Sequence, residues 1–308
     1  MRCDLHVHSR RSGRCGLPVL RSLIDECYSE PEEVYARARA RGMDLVTITD
    51  HDRIDGAQAI THQPGTFLSE ELTVALSGGR QLHLGVFDIS EPQHYRMQAL
   101  RGDAEALFAY LTEQRIAPCL NHPFAALTGR RETADLEMPF RRLRLVEALN
   151  GAMPEDQNER ALRAGRAAGL APVGGSDAHA LAFVARSFTT VPGARNKEEF
   201  TAGLRQGLSV PGGRAGGYTR LASEMARVFI AALIDGVSSA HESRQASSRF
   251  LGSLLLVPLL PFVPLAALLL HGREKRFGKD LFVRLEAVAG WSLESAPCSP
   301  TEPAGSLG

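Results

Sequence analysis

The chain runs to 308 residues, enough for one large domain of about 200 to 250 residues with an extension, or for two ordinary domains. Lysine plus arginine equals aspartate plus glutamate at 35 each, so no global field favours nucleic acid or an anionic surface, and any preference for phosphate must be local. Five cysteines, Cys3, Cys15, Cys27, Cys119 and Cys298, are odd in number and contain no C-x-x-C pair, which argues against a disulfide framework or a zinc ribbon and for a reducing, cytoplasmic compartment. Asp4, His6 and His8 stand where a secretory signal would need an apolar run.

Along the first two thirds of the chain, short apolar segments alternate with longer helix-like ones, the pattern of repeated β-α units around a parallel sheet. An α/β barrel is the expected fold. The strands fall at 3–8, 44–49, 82–87, 116–121, 144–149, 171–175 and 188–191, with a weaker one near Leu72. A helix over 31–41 opens on Pro31, Glu32 and Glu33 and closes at Gly42. Further helices are expected over 98–114, 155–168 and 197–206. Pro211-Gly212-Gly213 and Gly216-Gly217 then punctuate the sequence, dividing a region 1–215 from a helical extension 216–290 and a disordered tail 291–308.

Within the extension, 250–270 holds no charged residue, and a helix of that length would span roughly 30 Å, about a bilayer core. Pro258, Pro261 and Pro264 interrupt it, which suits a kinked or hairpin segment better than a straight span. Arg244 and Arg249 precede it, and Arg273, Lys275, Arg276 and Lys279 follow, a bias that would keep both flanks on the inner face of a membrane. The competing expectation is a buried helix pair, formed with 225–234, that covers the barrel.

The chemistry is carried by an ordered series of motifs. Asp4-Leu5-His6-Val7-His8-Ser9 places two histidines two residues apart on a strand, so both rings leave one face and can grip an ion. Thr47-Ile48-Thr49-Asp50-His51-Asp52 puts a third histidine after a strand, between Asp50 and Asp52, carboxylates able to orient its ring. Then come Glu71 in Ser69-Glu70-Glu71-Leu72-Thr73, His83 in Gln81-Leu82-His83-Leu84-Gly85, His122 in Asn121-His122-Pro123-Phe124, and Asp177 with His179 in Gly174-Gly175-Ser176-Asp177-Ala178-His179. Each motif alone is compatible with a satisfied core or surface residue. Their order, at the ends of successive elements, is what a barrel needs to gather distant ligands into one site. Glu147 and Asn150 are weaker members, more in keeping with a supporting or turn role.

This series resembles the polymerase and histidinol phosphatase (PHP) family over about residues 1–215. The resemblance implies a distorted seven-stranded (β/α) barrel with a dinuclear or trinuclear site at the C-terminal strand ends. It would place His6, His8, Glu71 and Asp177 around one ion and Glu71, His83 and His122 around a second, with Glu71 bridging. His51 and His179 would hold a third, together with a ligand drawn from the loop after the H-x-H strand. Here the loop 10–18 departs from the family pattern, offering Arg10, Arg11, Arg14 and Cys15 but no histidine or carboxylate.

Two or three divalent ions, manganese, zinc or iron in preference to magnesium, would activate water against a phosphoester, with Glu71, Asp177 and His179 carrying the catalysis and Asp4, Asp50 and Asp52 supporting them. Arg130 and Arg131 could grip substrate phosphate, or simply form a solvated loop. The expected substrate is a small phosphorylated molecule, since neither a basic excess nor an aromatic platform marks a nucleic-acid binder. The competing readings are a nuclease or phosphodiesterase and a non-catalytic, metal-stabilised module tethered to a membrane.

Overall fold

In a computed structural model of the protein, residues 1–15, 20–21, 24–126, 129, 131–239, 254 and 257–289 are described. The strands are β1 (Arg2–Cys3), β2 (Ser69–Ala75), β3 (Gln81–Phe87), β4 (Cys119–Leu120), β5 (Leu145–Asn150), β6 (Ala171–Gly175), β7 (Ser187–Thr190) and β8 (Val210–Gly213). Their ladders build a five-stranded sheet in the order β2-β3-β4-β5-β6 and a three-stranded sheet in the order β1-β7-β8. In the larger sheet β4, β5 and β6 are parallel, while β3 runs antiparallel to both its neighbours.

The expected seven-stranded barrel is therefore not what the ladders form among the described residues. The strands expected over 3–8 and 44–49 are, beyond β1, segments 4–9 and 44–52 tied in by isolated bridges at Val7–Ala178, Val46–Thr66 and His51–Glu71. For the first of these segments the physical reason lies in side-chain acceptors. Asp4 accepts from the amide of His6 at 3.2 Å, Thr49 Oγ1 from that of Val7 at 2.9 Å and Asp50 from that of Ser9 at 2.7 Å. Donors that a regular ladder would use are thus taken locally. What backbone bonding remains still runs from the end of β6 through these segments to β2: Asp177 N donates to His6 O, Thr49 N to Val7 O and Asp52 N to Glu71 O.

The helices are α1 (Pro31–Ala40), α2 (Asp55–Ala59), α3 (Glu91–Leu100), α4 (Ala104–Glu113), α5 (Thr133–Arg142), α6 (Glu155–Ala167), α7 (Lys197–Arg205), α8 (Tyr218–Ser239) and α9 (Val263–Ala289). The single helix expected over 98–114 is two, because Asp103 caps a fresh start by accepting from Ala106 N at 3.1 Å. Helix α5 forms despite Pro139, started by a reciprocal cap between Glu132 and Asp135.

Leu72, Val74, Leu84, Val86, Leu120 and Val146 of the sheet share one apolar cluster with Leu107 and Leu111 of α4 and Leu281, Phe282 and Leu285 of α9. Phe124 and Phe282 meet edge to face, ring centroids 5.5 Å apart. The buried Glu274 of α9 accepts from Ala126 N at 2.8 Å and lies within hydrogen-bonding reach of Gln157 Nε2 on α6. In the apolar stretch, Pro258 and Pro261 sit in a 3-10 segment (Val257–Phe262) and Pro264 in the first turn of α9, where no intrahelical donor is required. Among the described residues no helix is long and apolar enough to cross a membrane. Residues 250–253, 255–256 and 291–308, with Cys298, lie outside the described set.

Because Leu281 is fully buried in the sheet's own cluster, Leu281→Ala should destabilise the protein by about 3 kcal/mol. Urea denaturation measures this directly, and an unchanged midpoint would show that α9 does not pack there.

Candidate metal centre

The antiparallel course of β3 brings its first residues to the edge where β2, β4, β5 and β6 finish. His83, His122, Glu147 and Asp177 therefore arrive at one edge of the sheet from different elements. His6 and His8 alternate with Val7 on an extended segment and leave the same face, ring centroids 5.2 Å apart. Gly175 lets β6 approach that segment, since a Cβ there would lie 2.3 Å from His6 Cβ. His122 and Asp177 have positive φ values of 25° and 48°, backbone that non-glycine residues adopt rarely and chiefly at functional sites.

At the centre stands Glu71, 1% exposed. Its Oε2 lies 3.2 Å from His6 Nε2, 3.5 Å from His8 Nε2 and 3.2 Å from His51 Nδ1, and its Oε1 lies 3.2 Å from His83 Nδ1 and 2.9 Å from His122 Nε2. Asp177 Oδ1 stands 3.5 Å from His6 Nε2 and 3.4 Å from His8 Nε2. Glu70 points the other way, accepting from Gln98 at 2.8 Å and meeting His94 Nδ1 at 2.9 Å.

His51 and His179, expected to share a third ion, converge on a carboxylate that the sequence reading missed. Glu26 Oε2 is 3.5 Å from His51 Nε2, and Oε1 is 3.2 Å from His179 Nε2. It lies in the loop after the H-x-H segment, but beyond the 10–18 stretch in which a ligand was sought. Asp25-Glu26 was the available signal, an acidic pair ahead of α1 in no recognisable motif. Glu26 N donates to Gly13 O, and neighbouring Ile24 packs with Phe229, Ala232 and Val263 of α8 and α9. Cys15 belongs to that apolar cluster. Helix α8 also braces the opposite side, where Glu224 accepts from His179 N at 2.8 Å and Arg220 donates to Ser176 O at 2.8 Å.

The supporting groups fall out differently from expectation. Asp50 does not touch the His51 ring; it accepts from Ser9 and, at 2.9 Å, from Ser12 Oγ, which lies 2.9 Å from His8 Nδ1. With its own proton committed to Asp50, Ser12 accepts from His8, leaving His8 Nε2 as a lone pair toward the site. Asp52 accepts from Thr73 N and pairs with Arg101, so the flanking carboxylates anchor backbone rather than the His51 ring. Asp4 accepts from the amides of His6, Ser176 and Ala185, pinning the two ligand-bearing segments together. Glu147 does meet a ring, lying 2.9 Å from His6 Nδ1, while Asn150 bridges Glu147 and Asp177.

Arg131 is corrected from a substrate contact to a structural residue. It is 2% exposed and donates to the carbonyls of Gln81, His122 and Pro123, holding the loop after β4 from within. Arg130 lies outside the described residues.

The donor set fits divalent cations. His6 Nε2, His8 Nε2, His122 Nδ1, His179 Nε2 and Glu71 Oε2 are buried with no aligned hydrogen bond, although several stand close together. Buried imidazole nitrogens and carboxylate oxygens clustered this closely are a donor set suited to metal ligation. His6 with His8 and Asp177, His51 with Glu71 and His83, and His8 with His51 and His179 each place ligand atoms within 4.8 Å of one another.

The carboxylates and rings also shift one another's proton affinity. Burial works to raise Glu71 and Asp177, but His6 and its fellow histidines hold both well below the ordinary carboxylate range. Burial lowers His51 and His179, yet the Glu26 carboxylate overrides it, raising them to about 10 and about 9. His8 falls to about 3, through burial and then the neighbouring His179.

The fold has counterparts among solved structures. A two-domain protein from Bacteroides vulgatus, described as containing a predicted PHP-like metal-dependent phosphoesterase, superposes with a TM-score of 0.50 at 17% identity, covering 72% of this chain and 68% of that one. PsfC from Pseudomonas syringae gives 0.50 at 14% identity, covering 74% and 96%. An amidohydrolase from Chromobacterium violaceum, with sulfate bound and no metal, gives 0.43 at 17% identity, covering 68% and 98%. The family model described as PHP-associated matches residues 155–208, which include Asp177 and His179. Over that segment, and in its fold, the chain is similar to PHP-like proteins. No curated protein matches its sequence.

Two measurements follow from this candidate centre. Glu26→Gln should lose about one equivalent of bound metal in elemental analysis, whereas Glu70→Ala keeps the full complement; equal content in Glu26→Gln and the parent would remove Glu26 from the ligand set. Ligation requires neutral imidazoles, and His51 and His179 are protonated below their raised values, so manganese binding at pH 7.5 should release protons and weaken as pH falls. Calorimetry in two buffers of different ionisation enthalpy reads that release, and identical heats would contradict it.

Proposed function

We propose that the protein is a metal-dependent phosphoester hydrolase acting on small phosphomonoesters or nucleotides. The observation that carries this reading is Glu71, a buried carboxylate within 3.5 Å of the ring nitrogens of His6, His8, His51, His83 and His122. Divalent ions held by such a set supply an acidified water and positive charge against the phosphoryl oxygens. Imidazole and carboxylate donors favour zinc, manganese or iron over magnesium.

The chain's own residues do the rest. Glu71 and Asp177 contribute negative charge that offsets repulsion between neighbouring cations. Ser12 and Glu147 fix ring orientations from behind, an arrangement whose loss typically weakens metal affinity or activity by about 10- to 100-fold. His51 and His179, 22% and 21% exposed where His6 is 2% exposed, form the open side through which substrate would enter. Cys3, Cys27 and Cys119 do not suit thiol catalysis: burial pushes the Cys27 thiol up to about 12 and those of Cys3 and Cys119 well above their ordinary value. Balanced charge over the chain supports a small substrate rather than nucleic acid.

Metal-stripped protein should be inactive toward nitrophenyl phosphate and recover with manganese, zinc or iron better than with magnesium. Full activity in excess chelator, after verified metal removal, would overturn the proposal. Higher turnover on the bis-ester or on single-stranded DNA would move the substrate class to phosphodiesters. Glu71→Ala and Asp177→Ala should each bring turnover to near background.

A further inference from the structure

Helix α9 is two-faced at its start. Val263 and Ala267 are buried, and Val263 packs with Phe229 and Ala232 of α8. Phe262, Leu265, Leu268 and Leu269 lie on the other side, between 54% and 64% exposed. Val257 and Leu259, in the 3-10 segment just before, are exposed as well, and Ile234 and Val237 add to the same end of the helix pair from α8. An exposed apolar patch of this kind marks an interaction surface.

The next turns carry the opposite character. Arg273, Lys275, Arg276 and Lys279 are all exposed, while Glu274 turns inward to accept from Ala126 N, leaving Asp280 as the exposed acid of 271–280. The chain as a whole is neutral, so this basic collar is local. At 1.5 Å per residue, the apolar run 262–269 is about 12 Å long and Arg276 lies roughly 10 Å beyond Leu269. A wedge of that size is too short for a bilayer core of about 30 Å, and it matches insertion of about 5 to 10 Å into the boundary between headgroups and acyl chains.

We propose that this end of the α8–α9 pair docks on an anionic lipid surface, the leucines and Phe262 entering the interface and the basic collar meeting the headgroups. Charge complementarity chooses the occupant: a second copy of the same patch would bury the leucines but set four exposed cations, with Asp280 the one exposed acid of 271–280, against their own like. The docking is peripheral, in keeping with the lack, among the described residues, of a helix long and apolar enough to cross a membrane, and independent of the hydrolytic chemistry.

Flotation of the full-length protein with vesicles tests this. Binding is expected to vesicles of phosphatidylcholine with about a third phosphatidylglycerol, and not to pure phosphatidylcholine; it should weaken at high salt. Arg273→Glu with Arg276→Glu should cost roughly tenfold or more in vesicle affinity, and Leu268→Ser with Leu269→Ser should abolish binding. Both variants should keep parental hydrolysis and far-UV circular dichroism, which separates lost docking from lost folding. Equal binding to both vesicle types would overturn the electrostatic half of the proposal. Failure to float with either, accompanied by a dimer that Leu268→Ser with Leu269→Ser dissociates, would assign the patch to a second copy instead.

Discussion

Two carboxylates, Glu71 and Asp177, are buried side by side among histidine rings, and the rest of the molecule is arranged around that charge. Removing an ion from water costs several kcal/mol even after relaxation, so neither group is tolerable without positive charge close by. The neighbouring carboxylates raise the proton affinity of His6, His51 and His179, so that protons there can supply it. The same nitrogens, once neutral, are the donors that divalent ions require. The site is therefore tuned between two ways of satisfying one electrostatic demand, and its metal affinity is inseparable from pH.

That demand explains irregularities in the fold. Segment 4–9 gives up a regular ladder because Asp4, Thr49 and Asp50 accept from its amides, and in return His6 and His8 are held at fixed angles. Gly175 is needed where β6 presses against His6. The antiparallel β3 brings His83 to the edge that its parallel neighbours reach by their C-terminal ends. The helical extension takes part too: α8 holds the amide of His179 through Glu224, and α8 and α9 together seat the loop that carries Glu26. An exposed basic and apolar end on the same helices would place that bracing next to a lipid surface.

Local motifs made much of the site legible before any coordinates. H-x-H works through the two-residue period of an extended chain, and both T-D-H and S-D-A-H occupy element ends where a sheet gathers ligands. Glu71 was separable from Glu70 by its following residues, and their opposite directions across β2 follow from the same period. Glu26 was not legible, because a lone glutamate in an irregular loop has no pattern; only packing of Ile24 against distant helices brings it to His51 and His179. Arg131 misled for the converse reason. Its position after His122 suggested substrate, whereas carbonyls of the same loop capture its guanidinium. Pro139 concealed α5, and the break at Arg101-Gly102-Asp103 lay inside a region that reads as continuous helix. The strand expected over 3–8 gave way where side-chain acceptors competed for its amides, a contest that hydrophobic pattern does not record.

Anomalous diffraction from a crystal of the manganese-loaded protein tests the central claim most directly. The account predicts strong peaks on both sides of the Glu71 carboxylate, one beside His6, His8 and Asp177 and another beside His83 and His122, with a further peak among His51, His179 and Glu26. Peaks confined to the surface, or a loaded site in which Glu71 contacts no ion, would contradict it.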